Sequence, residues 1–167
     1  MYKHLIALFF AVSFLSLAGC LGDDDDVTTP SVCEEGLISV EEFAAADTAY
    51  SYTELDDTGL LYHIIEPGTG DKVKVSDTLI VAYRGTVTNG RLFDSRPADN
   101  PARFPLSGLI EGWKLALPLV AEGGKIRLLI PAQLAYGSRG SCNAFGQCSI
   151  CPDSDLVFDI EVIDIVN

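Results

Sequence analysis

The sequence predicts an α+β domain in which a curved antiparallel β-sheet wraps around one short α-helix. Three observations carry that prediction. Separate stretches alternate apolar and polar residues with a period of two, the pattern of strands that bury one face. Between them, Leu109 to Leu117 has the spacing of a short helix, stopped by Pro118 and then by Gly123-Gly124. The composition, 48% apolar and 21% charged over 167 residues, suits one globular core and not a disordered chain.

The domain is preceded by other material. Lys3 and His4 open the chain, and Leu5 to Leu17 form an almost unbroken apolar run. That run is shorter than the roughly 20 residues needed to span a bilayer, and residues 1–19 read as a signal peptide. The run ends in Leu17-Ala18-Gly19-Cys20, which resembles the bacterial lipobox. Small residues at 18 and 19 admit a signal peptidase, and Cys20, then N-terminal, carries a diacylglycerol thioether. Each buried CH₂ contributes about 0.8 kcal/mol, so several acyl chains hold a protein on a membrane. Residues 20–57 form the lipidated N-terminus, an acidic tether and a short helical linker. The run Asp23 to Asp26 repels itself and stays solvated. Two readings of it stand: a plain spacer, and a likeness to the surface-export signal of Bacteroidota lipoproteins. The expected location is extracytoplasmic, lipid-anchored, in the outer membrane of a Gram-negative bacterium on either face, since Leu21 is not the Asp that retains many lipoproteins at the inner membrane.

In the linker, Ser39 followed three residues later by Glu42 is a capping-box signature for a helix over Val40 to Ala46. The domain proper runs over residues 58–167. Leu60 to Glu66 reads as a strand closed by the turn Pro67-Gly68-Thr69-Gly70. Thr78 to Val87 is a second strand, with Leu79, Val81 and Tyr83 on one face, and Asn89-Gly90 supplies a tight turn after it. Lys125 to Pro131 turns Ile126, Leu128 and Ile130 inward. Asp155 to Val166 does the same with Leu156, Phe158, Ile160 and Val162, which predicts a sheet with a single buried face.

The net charge of −13 repels phosphate and excludes nucleic acid as a partner. No metal or other cofactor is expected, and His4 and His63 are given no ligand role. With Cys20 lipidated, Cys33, Cys142, Cys148 and Cys151 remain as disulfide candidates in an oxidising compartment. Four cysteines allow three connectivities. A local bridge from Cys142 to Cys148 or Cys151 is preferred, with Cys33 tying the linker to the loop. Cys148 and Cys151 also have redox C-x-x-C spacing, but they stand in a loop between antiparallel strands and not at a helix start.

The chain resembles the FKBP-type peptidyl-prolyl cis-trans isomerases over roughly residues 58–167. The resemblance rests on Val81-Ala82-Tyr83-Arg84-Gly85 with Leu92-Phe93-Asp94-Ser95, on Phe104-Pro105-Leu106, and on Leu109-Ile110-Glu111-Gly112-Trp113. It continues through Ile130-Pro131-Ala132-Gln133-Leu134-Ala135-Tyr136-Gly137 and the closing segment from Ile150 to Glu161.

That resemblance implies an enzyme acting on X–Pro bonds of exported, proline-containing polypeptides, with Trp113 as the floor of an aromatic pocket. Tyr83, Phe93 and Phe158 would be its walls, with Phe104 beside them. Leu109 and Ile110 would line the rim, and the Ile110 N–H would bind a substrate carbonyl. Tyr136 would donate its hydroxyl, Asp94 would orient at the edge, and Ile150 would close the far side. Two departures from the family stand out. Ala102 follows Pro101 where many members have an aromatic, which implies a thinner wall and bears on macrolide binding. The loop from Ser138 to Pro152 is longer than usual, with Cys151 where Pro is common. The rivals to an enzyme are a non-catalytic proline-segment-binding or chaperone module on the same fold, and a dithiol oxidoreductase using Cys148 and Cys151.

Overall fold

The computed structural model describes Cys33 and residues 37–166. The expected signal peptide, the lipidation site at Cys20 and the run Asp23 to Asp26 lie outside these residues. In chain order the elements are helix α1 (Val40–Ala46), strands β1 (Thr53–Glu54), β2 (Leu61–Glu66), β3 (Thr78–Val87), β4 (Leu92–Arg96) and β5 (Ala102–Pro105), and helix α2 (Glu111–Ala116). Strands β6 (Lys125–Ile130), β7 (Ser141–Cys142), β8 (Cys148–Ile150) and β9 (Leu156–Val166) follow.

The main sheet runs β1-β2-β6-β9-β3-β4, with β5 paired to β3 beside β4. Its pairings are all antiparallel. The observed architecture is the expected α+β one. Helix α2 lies against the inner face, where Leu79, Val81, Ile126, Leu128, Ile130, Leu156, Phe158 and Val162 meet Trp113, Ala116 and Leu117 in one core. The helix is shorter than the predicted Leu109–Leu117, because Leu109 and Ile110, which follow a 3₁₀ turn at Leu106–Gly108, have extended backbone, and a second 3₁₀ turn at Leu117–Leu119 takes its last residue. Pro118 in the second turn lacks the N–H that an α-helical continuation would use.

The outer face is not bare, which corrects the expectation of a single buried face. Val40, Leu129 and Val157 form a second small core there, with Phe43, Tyr52 and Leu61 packed on it. The physical cause is α1. Ser39 and Glu42 form the complete capping box, and the helix lays Val40, only 1% exposed, onto the back of the sheet. The uninterrupted apolar triplets Leu128-Leu129-Ile130 and Leu156-Val157-Phe158 are the sequence trace of that two-sided burial.

Arg127 pins the residues after α1 to the same face. Its Nη1 donates to Asp159 Oδ1 at 2.6 Å and its Nε to the Tyr52 hydroxyl at 2.9 Å. Its Nη2 lies 3.6 Å from Asp47 Oδ2. Its guanidinium carbon sits 5.0 Å from the Tyr50 ring centre and 5.9 Å from that of Phe43.

The long loop folds into a hairpin of β7 and β8, stapled by a Cys142–Cys148 disulfide. A second disulfide, Cys33–Cys151, joins the N-terminal segment to the end of that loop. Cys148 and Cys151 therefore belong to different bridges. The dithiol reading needs the two to pair with each other, and it is set aside.

Candidate active site

Strand β3 carries Tyr83 toward α2, β4 carries Phe93 and Asp94, and β5 carries Phe104. The start of α2 contributes Ile110 and Trp113, and the central strand β9 contributes Phe158. These elements converge on a cavity of about 340 Å³ lined by Tyr83, Phe93, Asp94, Phe104, Gly108, Leu109, Ile110, Trp113, Tyr136 and Phe158. The candidate residues meet there, with Gly108 as an addition, and with Ile150 as the exception. Ile150, on β8, is buried in the main core and does not line the cavity, because hairpin pairing turns it inward from the loop.

The floor is an edge-to-face aromatic cluster. Trp113 meets Tyr83 at 5.5 Å and 84°, and Phe158 at 5.2 Å and 86°, while Phe93 meets Phe158 at 5.5 Å and 85°. Such tilted pairs place positive ring edges on negative ring faces, so each fixes the orientation of the next. Trp113 is 4% exposed, and its Nε1 is buried with no hydrogen-bond partner among the described residues. The floor therefore presents carbon and π surface, which suits an apolar ring.

Close approach of backbone and rings makes this cluster possible. Gly85 occupies the inward position after Tyr83 on β3, and a Cβ there would lie 2.6 Å from Phe93 Cζ and 2.7 Å from Phe158 Cε1. The thinner wall expected at Ala102 is a different case. Ala102 is buried on β5 opposite Val81 and lines no part of the cavity, so Phe104, two residues on, supplies that wall.

The polar equipment is sparse and directed. The Tyr83 hydroxyl donates to Asp94 Oδ2 at 2.5 Å. Burial, and after it the hydrogen bond to Asp94, pushes the Tyr83 phenol up to about 12. Tyr136, 39% exposed at the rim, is also pushed above the ordinary phenol range, by burial first and then by the Asp94 charge. Both hydroxyls thus keep their protons at neutral and mildly alkaline pH. Arg91, which sequence reasoning did not single out, ties the turn ahead of Phe93 to β8 through Nη1 and the Ser149 carbonyl at 2.9 Å. No local pattern announces that contact, which spans 58 residues of sequence. Among the described residues no group of three or more His, Cys, Asp or Glu could hold a metal ion.

Comparison with known proteins follows the same lines. The family model for FKBP-type peptidyl-prolyl cis-trans isomerase matches residues 70–163. The FKBP-type peptidyl-prolyl cis-trans isomerase FkpA of Escherichia coli (strain K12) is 44% identical over 109 residues, which are 65% of this chain and 38% of that protein. The outer membrane protein MIP of Legionella longbeachae is 37% identical over 133 residues, 79% of this chain and 55% of that protein. Over those matches this chain spans between about two fifths and just over half of each relative's length. The crystal structure of a peptidyl-prolyl cis-trans isomerase from Pseudomonas syringae pv. tomato superposes with a TM-score of 0.64 at 35% identity, covering 77% of this chain and 91% of that one.

Proposed function

Because the chain belongs to the FKBP-type peptidyl-prolyl cis-trans isomerase family, we propose that it catalyses cis–trans exchange at X–Pro bonds of exported polypeptides. The observation that carries the reading is one cavity in which an edge-to-face aromatic floor, an apolar rim and the Tyr136 side chain converge. Rotation about a peptide bond costs roughly 18–20 kcal/mol because resonance gives it double-bond character. The two X–Pro ground states lie close in energy, yet exchange takes tens of seconds or longer. An apolar pocket disfavours the planar, charge-separated amide relative to the twisted one. Fixed donors then select the twisted geometry, which is tighter binding of the transition state than of either ground state.

In this reading the prolyl ring lies on Trp113 between Tyr83, Phe93, Phe104 and Phe158, with Leu109 at the rim. Ile110 caps the start of α2, where helix geometry leaves N–H groups without intrahelical partners, and its N–H takes a substrate carbonyl. Tyr136 donates to the peptide. Asp94 holds the Tyr83 hydroxyl and so keeps that ring from rotating away from the floor.

Two disulfides support an oxidising, extracytoplasmic setting. Together with the lipobox-like Leu17-Ala18-Gly19-Cys20, they support a lipoprotein held on the outer membrane, with residues 20–57 leading to the isomerase domain at 58–167.

The test is acceleration of cis-to-trans exchange in a short peptide with a bulky apolar residue before proline. Tyr136→Phe, which removes one donor, is expected to lower kcat/KM about five- to tenfold, and Asp94→Val, which strands the Tyr83 hydroxyl, about tenfold or more. Because Tyr83 and Tyr136 are both raised, wild-type kcat/KM should be flat from neutral pH into the mildly alkaline range. A folded, oxidised domain that gives no acceleration refutes catalysis and leaves a proline-segment-binding module.

A further inference from the structure

The turn that presents Tyr136 is held from outside the pocket. Tyr136 sits between two 3₁₀ turns, Ala132–Leu134 and Gly137–Arg139. Its exposed ring makes no side-chain hydrogen bond among the described residues, so the position of its hydroxyl is set by the backbone on either side. Downstream, Asp153 donates its N–H to the Gly137 carbonyl at 2.9 Å. Upstream, Ala132 donates its N–H to Asp155 Oδ1 at 2.8 Å.

The same carboxylate has a second task. Asp155 Oδ2 accepts the N–H of Val40, the first residue of α1, at 2.9 Å. One side chain therefore joins two segments remote in sequence. An ionised carboxylate offers acceptors on both oxygens, whereas an amide offers one acceptor oxygen and a donor in place of the other. Helix α1 is itself held by other means. Val40 packs on Leu129 and Val157, Ile38 donates its N–H to Thr88 Oγ1 at 3.1 Å, and Cys33 is bonded to Cys151. These ties lie outside the cavity, and α1 lies outside the matched residues 70–163.

We propose that Asp155 is a positioning residue of the isomerase site, its carboxylate coupling α1 to the turn Ala132–Tyr136 and thereby fixing the Tyr136 hydroxyl. The inference rests on the isomerase reading for what Tyr136 does, and on geometry alone for how Tyr136 is held.

The experiment compares Asp155→Asn with wild type in the full oxidised chain, in two backgrounds. With Tyr136 present, Asp155→Asn should lower kcat/KM about fivefold. In the Tyr136→Phe background it should change kcat/KM by less than about twofold, because groups that act as a unit are not additive. The NMR signals of the Tyr136 ring should shift in Asp155→Asn and stay in place in Asp164→Asn, an exposed change elsewhere on β9. An equal loss in both backgrounds, or unmoved Tyr136 signals, overturns the proposal. If Asp155→Asn does not fold, Val40→Pro removes one of the two donors at a helix position where proline is favoured, and the same ring shift is expected. An inactive wild type would sink the isomerase reading by itself, while the Tyr136 signals would still decide the coupling.

Discussion

Gly85→Ala is expected to lower isomerase activity by about tenfold or more, since displacing a catalytic surface by as little as an ångström has effects of that order. It should also destabilise the domain by about 1–3 kcal/mol, the usual cost of overpacking a filled core. The added methyl would meet Phe93 Cζ at 2.6 Å and Phe158 Cε1 at 2.7 Å, well inside ordinary contact. Neither ring can yield cheaply. Phe158 is 4% exposed on the central strand, and Phe93 is locked edge-to-face against it. The methyl therefore has to push the two walls into the space a prolyl ring would occupy. Denaturant unfolding and peptide isomerisation on the same sample check both halves. A variant with wild-type turnover would show that the pocket does not depend on that close approach.

Arg127→Ala should cost about 2–3 kcal/mol, far more than a typical surface ion pair is worth. The side chain is 17% exposed and bonds to Asp159 and to Tyr52, whose own hydroxyl donates to Asp47 at 2.6 Å. Removing the guanidinium leaves two carboxylates and a phenol on the back of the sheet without their shared cation. It also strips a flat cation from between Tyr50 and Phe43. Burial alone would raise the Asp47 carboxyl, but the Tyr52 hydroxyl, the Ala49 N–H and the Arg127 charge outweigh it and hold Asp47 below the usual range. Lys125→Ala is the control. Lys125 bridges Glu66 and Glu161 on the same face with its side chain 38% exposed, more than twice the exposure of Arg127, and its loss should leave the unfolding midpoint almost unchanged. Equal shifts for the two variants would mean that Arg127 is an ordinary surface charge.

How far the residues announced this structure depended on the range of the interaction. Strand β3, from Thr78 to Val87, was legible residue by residue because alternation and the Asn89-Gly90 turn are both local. The capping box of α1 was legible for the same reason, whereas a common pocket for Tyr83, Phe93, Trp113, Tyr136 and Phe158 was implied by the family resemblance and is where the structure brings them together. What α1 covers was harder to see. The covering depends on Leu129 and Val157, which an alternating pattern assigns to solvent. Ile150 was placed at the site by the family resemblance, but it pairs in the β7–β8 hairpin and is buried in the core. Asp155 and Arg91 gave no warning, since each acts on backbone groups dozens of residues away. The cysteines show the same limit, with Cys148 three residues from Cys151 in sequence yet bonded elsewhere.

The place of β9 has a consequence for how the domain comes into being. The strand lies between β6 and β3 at the heart of the sheet, although it is the last of the strands in chain order. Neither half of the sheet can close on the other until β9 has arrived, because β3 and β6 meet only through it. A polypeptide leaving the ribosome could pair β2 with β6, and β3 with β4 and β5, but could not join those two parts until β9 emerged. Such long-range pairing also implies refolding in roughly milliseconds to seconds and not microseconds. A chain built this way stays open while it is being made, which is the condition in which a protein can be threaded across a membrane before it folds.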